Sequence, residues 1–87
     1  MNEAALVVSI RQYVYTNGGF VYKLSPSGLT DTGLPDLIGG LNGTPFAVET
    51  KIKPNTPTPI QVATIRLFAK HGYRAAVIYS LKEFKEL

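Results

Sequence analysis

Two carboxylates and a lysine, Asp36, Glu49 and Lys51, flank an Asn42-Gly43 pair. An Asn-Gly pair between two apolar runs favours a type I′ hairpin turn, because both central residues of that turn need positive φ. A two-residue loop sets Asp36 directly opposite Glu49, with Cβ atoms about 5 Å apart, and alternation along the strand places Lys51 on the same face. Facing carboxylates repel each other, so we expect a hard divalent cation between them. The arrangement predicts metal-assisted phosphodiester chemistry.

This placement depends on the length of the hairpin loop. A four-residue loop, Gly40 to Gly43, makes the two acids diagonal neighbours, whereas a three-residue loop puts them on opposite faces. A third interpretation is a solvated hairpin face that carries the two acids by chance, because a Glu-x-Lys triplet is common. The local pattern leaves these alternatives open.

Three motifs in sequence order resemble the virus-type replication-repair nuclease (VRR-NUC) domain, a branch of the PD-(D/E)xK nuclease superfamily. The motifs are Gly33-x-Pro35-Asp36-Leu37-Ile38-Gly39, Phe46-x-Val48-Glu49-x-Lys51 and Thr58-Pro59-x-Gln61. The resemblance runs from a helix bearing Glu3 to a strand-helix unit at about Tyr73 to Leu87. It implies an α/β, restriction-endonuclease-like fold in which helices flank a mixed β-sheet, in the order α-β-β-β-α-β-α, with one domain over residues 1–87.

The site implied by this resemblance uses Mg²⁺ or Mn²⁺ as its cofactor. Asp36, Glu49 and the backbone carbonyl of Thr50 would hold the metal, with Glu3 as a candidate further ligand. Lys51 would orient the attacking water or neutralise the phosphate in the transition state. The catalytic set expected from the resemblance is therefore Asp36, Glu49, Lys51, Gln61 and Glu3.

The expected function is that of a metal-dependent DNA endonuclease in replication, recombination or repair. Free-standing members of the family resemble Holliday junction resolvases and act as dimers. We therefore expect a structure-selective homodimer that acts on branched or four-way junction DNA. One alternative is a catalytically silent DNA-binding or assembly module, against which the intact set of Asp36, Glu49 and Lys51 argues. Another is a non-nuclease β-hairpin protein, which divalent cations would not stabilise.

Two site candidates lie on predicted helices, and each has a structural alternative. Residues 2 to about 16 read as a helix with Asn2 as N-cap, and Glu3 begins its inward stripe of Leu6, Val7, Ile10 and Val14. Glu3 could equally be a first-turn acid favoured by the helix dipole. Thr58 and Gln61 form a capping box at the start of a second helix, which explains Gln61 without any role in the site.

Candidate phosphate contacts are Lys23, Ser25 and Lys53. Lys23 precedes the stretch from Ser25 to Gly33, which is rich in Gly, Pro and Ser, and Ser25 begins it. Loops of this kind often bind substrates. A strand-end charge and a turn residue explain Lys23 and Ser25 as well. Farther along, the apolar run from Tyr73 to Tyr79 shows little alternation, which predicts an internal strand covered on both faces.

Composition agrees with one small domain. The 87 residues are 45% hydrophobic and contain no cysteine, which excludes disulfides and thiolate metal sites, so we expect a dimer to add apolar burial. The net charge is +3. If Glu3, Asp36 and Glu49 surround a cation, the rest of the surface carries nine basic residues and three acidic ones, Asp31, Glu83 and Glu86. Such a basic surface suits DNA. An ordinary surface of mixed charge is the alternative.

The expected compartment follows from the absence of targeting signals. The start lacks the positive n-region of a signal peptide, and no apolar run approaches the roughly 20 residues of a membrane span. We expect no membrane partner and a cytoplasmic location in a bacterium or phage-infected cell.

Overall fold

The computed structural model describes residues 1–25 and 33–87, and the predicted order of elements is confirmed within them. The elements are α1 (Glu3–Thr16), β1 (Phe20–Lys23), β2 (Leu37–Leu41), β3 (Thr44–Thr50), α2 (Pro59–Lys70), β4 (Arg74–Ile78) and α3 (Leu81–Lys85). In this part of the chain the strands form one sheet in the order β1-β2-β3-β4. The first three strands are antiparallel, and β4 runs parallel to β3. The sheet is therefore mixed, as expected.

The β2–β3 hairpin has the two-residue loop that its sequence favours. Asn42 and Gly43 have φ values of 53° and 77°, and Leu41 pairs with Thr44. This register continues to the pair Leu37 and Val48. The next position along the two strands therefore sets Asp36 opposite Glu49. The loop lengths of three and four residues are thereby excluded.

Helix α1 covers one face of the sheet with the predicted apolar stripe. Its buried side chains join residues from every strand and from α3 in one core, namely Leu6, Val7, Ile10, Val14, Val21, Leu37, Phe46, Val48, Ile78 and Phe84. Full burial of a side chain of this size contributes about 1.5–3 kcal/mol. The Asn2 side chain accepts a hydrogen bond from the backbone N–H of Ala5 at 2.8 Å, which confirms the N-cap. Glu3 is an exposed residue, yet its Oε1 atom lies 3.4 Å from the buried Thr50 hydroxyl, so its side chain is turned inward toward the sheet as expected.

Strand β4 is an edge strand in the described part of the chain, where it pairs with β3 alone. The expectation of an internal strand is therefore wrong. Its apolar run is explained by coverage of its two faces: Ile78 belongs to the core beneath α1, and Phe68 of α2 packs edge-to-face on the adjacent Tyr73 at 4.9 Å. The two faces are therefore covered as expected, and only the internal position in the sheet was predicted wrongly.

The described helices have no membrane-spanning candidate. None in residues 1–25 and 33–87 combines the length and apolar character that crossing a bilayer requires.

Candidate active site

Strands β2 and β3 and helix α2 bring the candidate residues together at one end of the two central strands. Alternation along β3 directs Glu49 and Lys51 to the face that α2 covers and Thr50 to the face that α1 covers. Asp36 comes just before β2, and Gln61 lies in the first turn of α2. The site therefore depends on contacts between elements that are distant in sequence.

Asp36 is held by Thr50. Its Oδ2 atom accepts the backbone N–H of Thr50 at 2.9 Å and the Thr50 hydroxyl at 2.6 Å. Continuing the ladder places Pro35 opposite Thr50, at a position that is already outside β2. The Asp36 side chain takes over as the acceptor there, which fixes the carboxylate at the end of the strand.

Glu49 is a buried carboxylate with one satisfied oxygen. The residue is 3% exposed. Its Oε2 atom accepts a hydrogen bond from Gln61 Nε2 at 2.8 Å and lies 3.6 Å from Lys51 Nζ. Its buried Oε1 atom has no hydrogen-bond partner in the described part of the chain. A buried polar oxygen without a partner is costly, so this atom fits a site completed by a cation.

The electrostatics of Glu49 support the same interpretation. Burial, followed by the charge of Asp36, raises the pKa of Glu49 from 4.5 to about 7, with a smaller contribution from Glu3 and an opposing one from Lys51. Crowded carboxylates behave in this way when no positive charge lies between them. A divalent cation would favour the ionised form and reverse the shift.

Gln61 caps α2 and also contacts Glu49, and its role in the site stays a prediction. Its Oε1 atom accepts the backbone N–H of Thr58 at 2.9 Å, and its own N–H bonds to the Thr58 hydroxyl, so the capping box forms. Its Nε2 atom donates to Glu49. One amide thus fixes the start of α2 and the orientation of Glu49.

In the described part of the chain, Glu3 contacts the site through the side chain of Thr50. Its Oε1 atom is 3.4 Å from the Thr50 hydroxyl. Among residues 1–25 and 33–87, no three acidic, histidine or cysteine side chains cluster closely enough to hold a metal ion. Two carboxylates with waters and a substrate phosphate still suffice for Mg²⁺. Ligation by Glu3 and by the Thr50 carbonyl stay predictions.

The candidate DNA contacts have no described link to the carboxylates. Lys23, Ser25 and Lys53 are exposed, and the Lys53 ammonium lies 5.9 Å from the centre of the Tyr79 ring. Their roles stay predictions. Most of the stretch from Ser25 to Gly33, namely residues 26–32, lies outside the described residues, and so does Asp31.

The Thr50 side chain was missed by the sequence analysis, which considered only its carbonyl. Thr50 is fully buried, and its hydroxyl contacts Asp36. A usable signal was present, since alternation with Phe46 and Val48 puts a polar residue on the core face of β3. Buried hydroxyls of this kind need a hydrogen-bond partner.

Comparison with known proteins gives matches among solved structures. No protein-family profile and no curated protein sequence matches the chain. A structure described as a VRR_NUC domain superposes with a TM-score of 0.79 and 31% identity over 98% of this chain and 91% of its own. A VRR_NUC domain protein has a TM-score of 0.72 and 19% identity, covering 99% and 84%.

A third solved structure is Hjc from Archaeoglobus fulgidus, a Holliday junction resolvase. It has a TM-score of 0.67 and 18% identity, covering 88% of this chain and 67% of its own. At such identities the second and third structures establish the fold alone. That fold is the restriction-endonuclease-like one expected from the motifs.

The raised pKa of Glu49 predicts a pH-dependent stability. Between pH 4.5 and about 7 the native Glu49 binds a proton that the unfolded chain has lost, so this stabilising contribution declines as the pH rises through that window. We expect the difference in unfolding free energy between the wild type and E49Q to favour the wild type more near pH 5 than at about pH 8. Urea unfolding in EDTA measures it. Parallel pH profiles for the two proteins would contradict the raised pKa.

The two contacts of Gln61 can be separated by substitution. In Q61E the carboxylate can still accept the Thr58 N–H, but it cannot donate to Glu49 and adds a negative charge beside it. We expect metal-free Q61E to lose on the order of 1 kcal/mol of stability at about pH 8. Adding E49Q should restore most of the loss, as thermal unfolding would report. Equal losses with and without E49Q would mean that the contact between Gln61 and Glu49 is unimportant.

Proposed function

The chain belongs to the VRR-NUC domain family of nucleases, and we propose that it hydrolyses DNA phosphodiester bonds with Mg²⁺ or Mn²⁺ as cofactor. The observation that carries the proposal is the buried Oε1 atom of Glu49, which has no hydrogen-bond partner in the described part of the chain and lies near the charge of Asp36. Burying a carboxylate such as that of Glu49 next to a second negative charge is unfavourable when no cation lies between them. A cation that both acids bind would remove the repulsion and satisfy the free oxygen.

Different residues would bind the metal, contact the phosphate and orient Glu49. Asp36, Glu49 and the Thr50 carbonyl would hold the metal, with Glu3 as a candidate outer support. Bound there, the metal would supply Lewis acidity toward the phosphate and a more acidic water. The Lys51 ammonium is 3.6 Å from Glu49 and partly exposed, so it can meet a phosphate that approaches the carboxylates. Gln61 would keep Glu49 oriented through its 2.8 Å hydrogen bond.

The substrate proposed is branched or four-way junction DNA. The support is the fold shared with a Holliday junction resolvase and the excess of nine basic over six acidic residues. The alternative is a DNA-binding module without catalytic activity. The costly burial of the Glu49 carboxylate argues against it, because such a module needs no metal site.

A homodimer would suit this substrate, because two symmetric sites can face the two strands that a junction presents. The chain also exposes several large apolar side chains for a monomer of 87 residues, namely Val8, Tyr15, Phe20, Tyr22, Ile60 and Leu67. Large exposed apolar groups are typical of association surfaces when they adjoin one another. Phe20 and Tyr22 do adjoin, with ring centres 5.9 Å apart.

The metal-dependent activity predicts the behaviour of D36N. We expect cleavage to fall by at least about 100-fold, while the metal-free fold is kept, because the amide oxygen can still accept both Thr50 hydrogen bonds. Linear, flapped and four-way DNA with Mg²⁺, Mn²⁺ or EDTA would test it. E86Q is the matched control, as it neutralises an exposed acid outside the site. Cleavage by D36N at the wild-type rate, or by the wild type in excess EDTA, would overturn the assignment.

The dimer predicts twice the chain mass in solution. Light scattering at micromolar concentration should give about twice the 9.5 kDa of one chain. A strict monomer that nicks linear and branched DNA equally well would leave a metal-dependent nuclease without resolvase-like selectivity.

A further inference from the structure

Thr50 gives two hydrogen bonds to one oxygen of Asp36. The backbone N–H donates at 2.9 Å and the hydroxyl at 2.6 Å, both to Oδ2. The same hydroxyl is 3.4 Å from Glu3 Oε1. A hydroxyl has one proton to donate, and the shorter distance assigns it to Asp36. Thr50 is 0% exposed, so water does not compete for this bond.

These two bonds select which Asp36 oxygen is available. With Oδ2 fixed, the hydrogen bonds of the described residues leave Oδ1 as the oxygen that can bind a further partner. Glu49 is organised in the same way, because Gln61 and Lys51 both engage Oε2 and leave Oε1 unpaired. Among residues 1–25 and 33–87, each carboxylate therefore has one oxygen held by hydrogen bonds and one oxygen without a hydrogen bond.

The need for this restraint follows from the charges. The main chain of Asp36 is held by the Leu24 N–H, which donates to the Asp36 carbonyl at 2.8 Å. Its side chain is held, among the described residues, by the two Thr50 donors, and the nearby charge of Glu49 repels it. Without the hydroxyl, the described residues would leave the Asp36 side chain with the backbone N–H of Thr50 as its donor, and the carboxylate could rotate away from Glu49. Weakly held ligands must be ordered when a metal binds, which lowers affinity.

We propose that the Thr50 hydroxyl is a positioning group that holds Asp36 in the orientation needed for divalent metal. The inference rests on the proposed metal-dependent function and adds to it a side chain that acts through Asp36. It also gives the middle residue of the Glu49-Thr50-Lys51 triplet a role separate from its carbonyl.

The test is Mn²⁺ binding by isothermal titration calorimetry to the wild type and T50V. Valine has nearly the same shape and keeps the backbone N–H, so T50V removes the hydroxyl bond alone. We expect Mn²⁺ affinity to fall about 10-fold in T50V and to return toward the wild-type value in T50S. T44V is the matched control at the other end of β3, and its affinity should equal that of the wild type.

Circular dichroism and thermal unfolding in EDTA check that the variants are folded. If T50V does not fold, T50S and T50A provide the same comparison, since they differ by one oxygen, and T50A should bind more weakly. The positioning role is overturned if T50V binds Mn²⁺ as tightly as the wild type or more tightly, or if T50A does so relative to T50S. The proposed function would stand in either case. Failure of the wild type to bind Mn²⁺ overturns both.

Discussion

The register of the β2–β3 hairpin is the constraint on which the rest of the site depends. The turn at Asn42-Gly43 sets it, because both residues adopt the positive φ that a two-residue loop needs. A slip by one residue would exchange the two faces of β2 against β3. Asp36 would then lose Thr50 as its donor, and the core would lose Leu37. The same turn therefore fixes the hydrophobic packing and the position of a carboxylate.

That register concentrates negative charge where water is excluded, and the protein offsets the cost with donors taken from separate elements. Gln61 belongs to α2, Lys51 directly follows β3, and Thr50 donates from both its main chain and its side chain. Even so, the pKa of Glu49 remains raised by burial and by Asp36. The donors orient the carboxylates without neutralising them. An arrangement of this kind keeps its geometry before a cation arrives, which limits the ordering cost of binding.

Local signals predicted the elements well, and tertiary contacts account for what they missed. The Asn42-Gly43 turn and the Asn2 and Thr58 caps each depend on a few neighbouring residues, and each is found as predicted. The placement of β4 at the edge was not predictable from its sequence pattern, because helices can cover both faces of an edge strand as fully as those of an internal strand. The capping box alone could not reveal that Gln61 contacts Glu49, since the whole fold brings these residues together. The family resemblance was the signal that placed Gln61 in the expected site.

The Glu49-Thr50-Lys51 segment contributes side chains to both faces of the sheet, and these side chains form one site. Glu49 and Lys51 point toward α2, where Gln61 holds the glutamate, whereas Thr50 points toward α1 and reaches Asp36 and Glu3. A three-residue strand end can do this because successive side chains alternate between faces. Displacement of α2 would release Glu49, and loosening of the α1 face would release Asp36 through Thr50. The candidate metal site therefore forms only when both helices are docked on the sheet, which couples its geometry to the integrity of the complete fold.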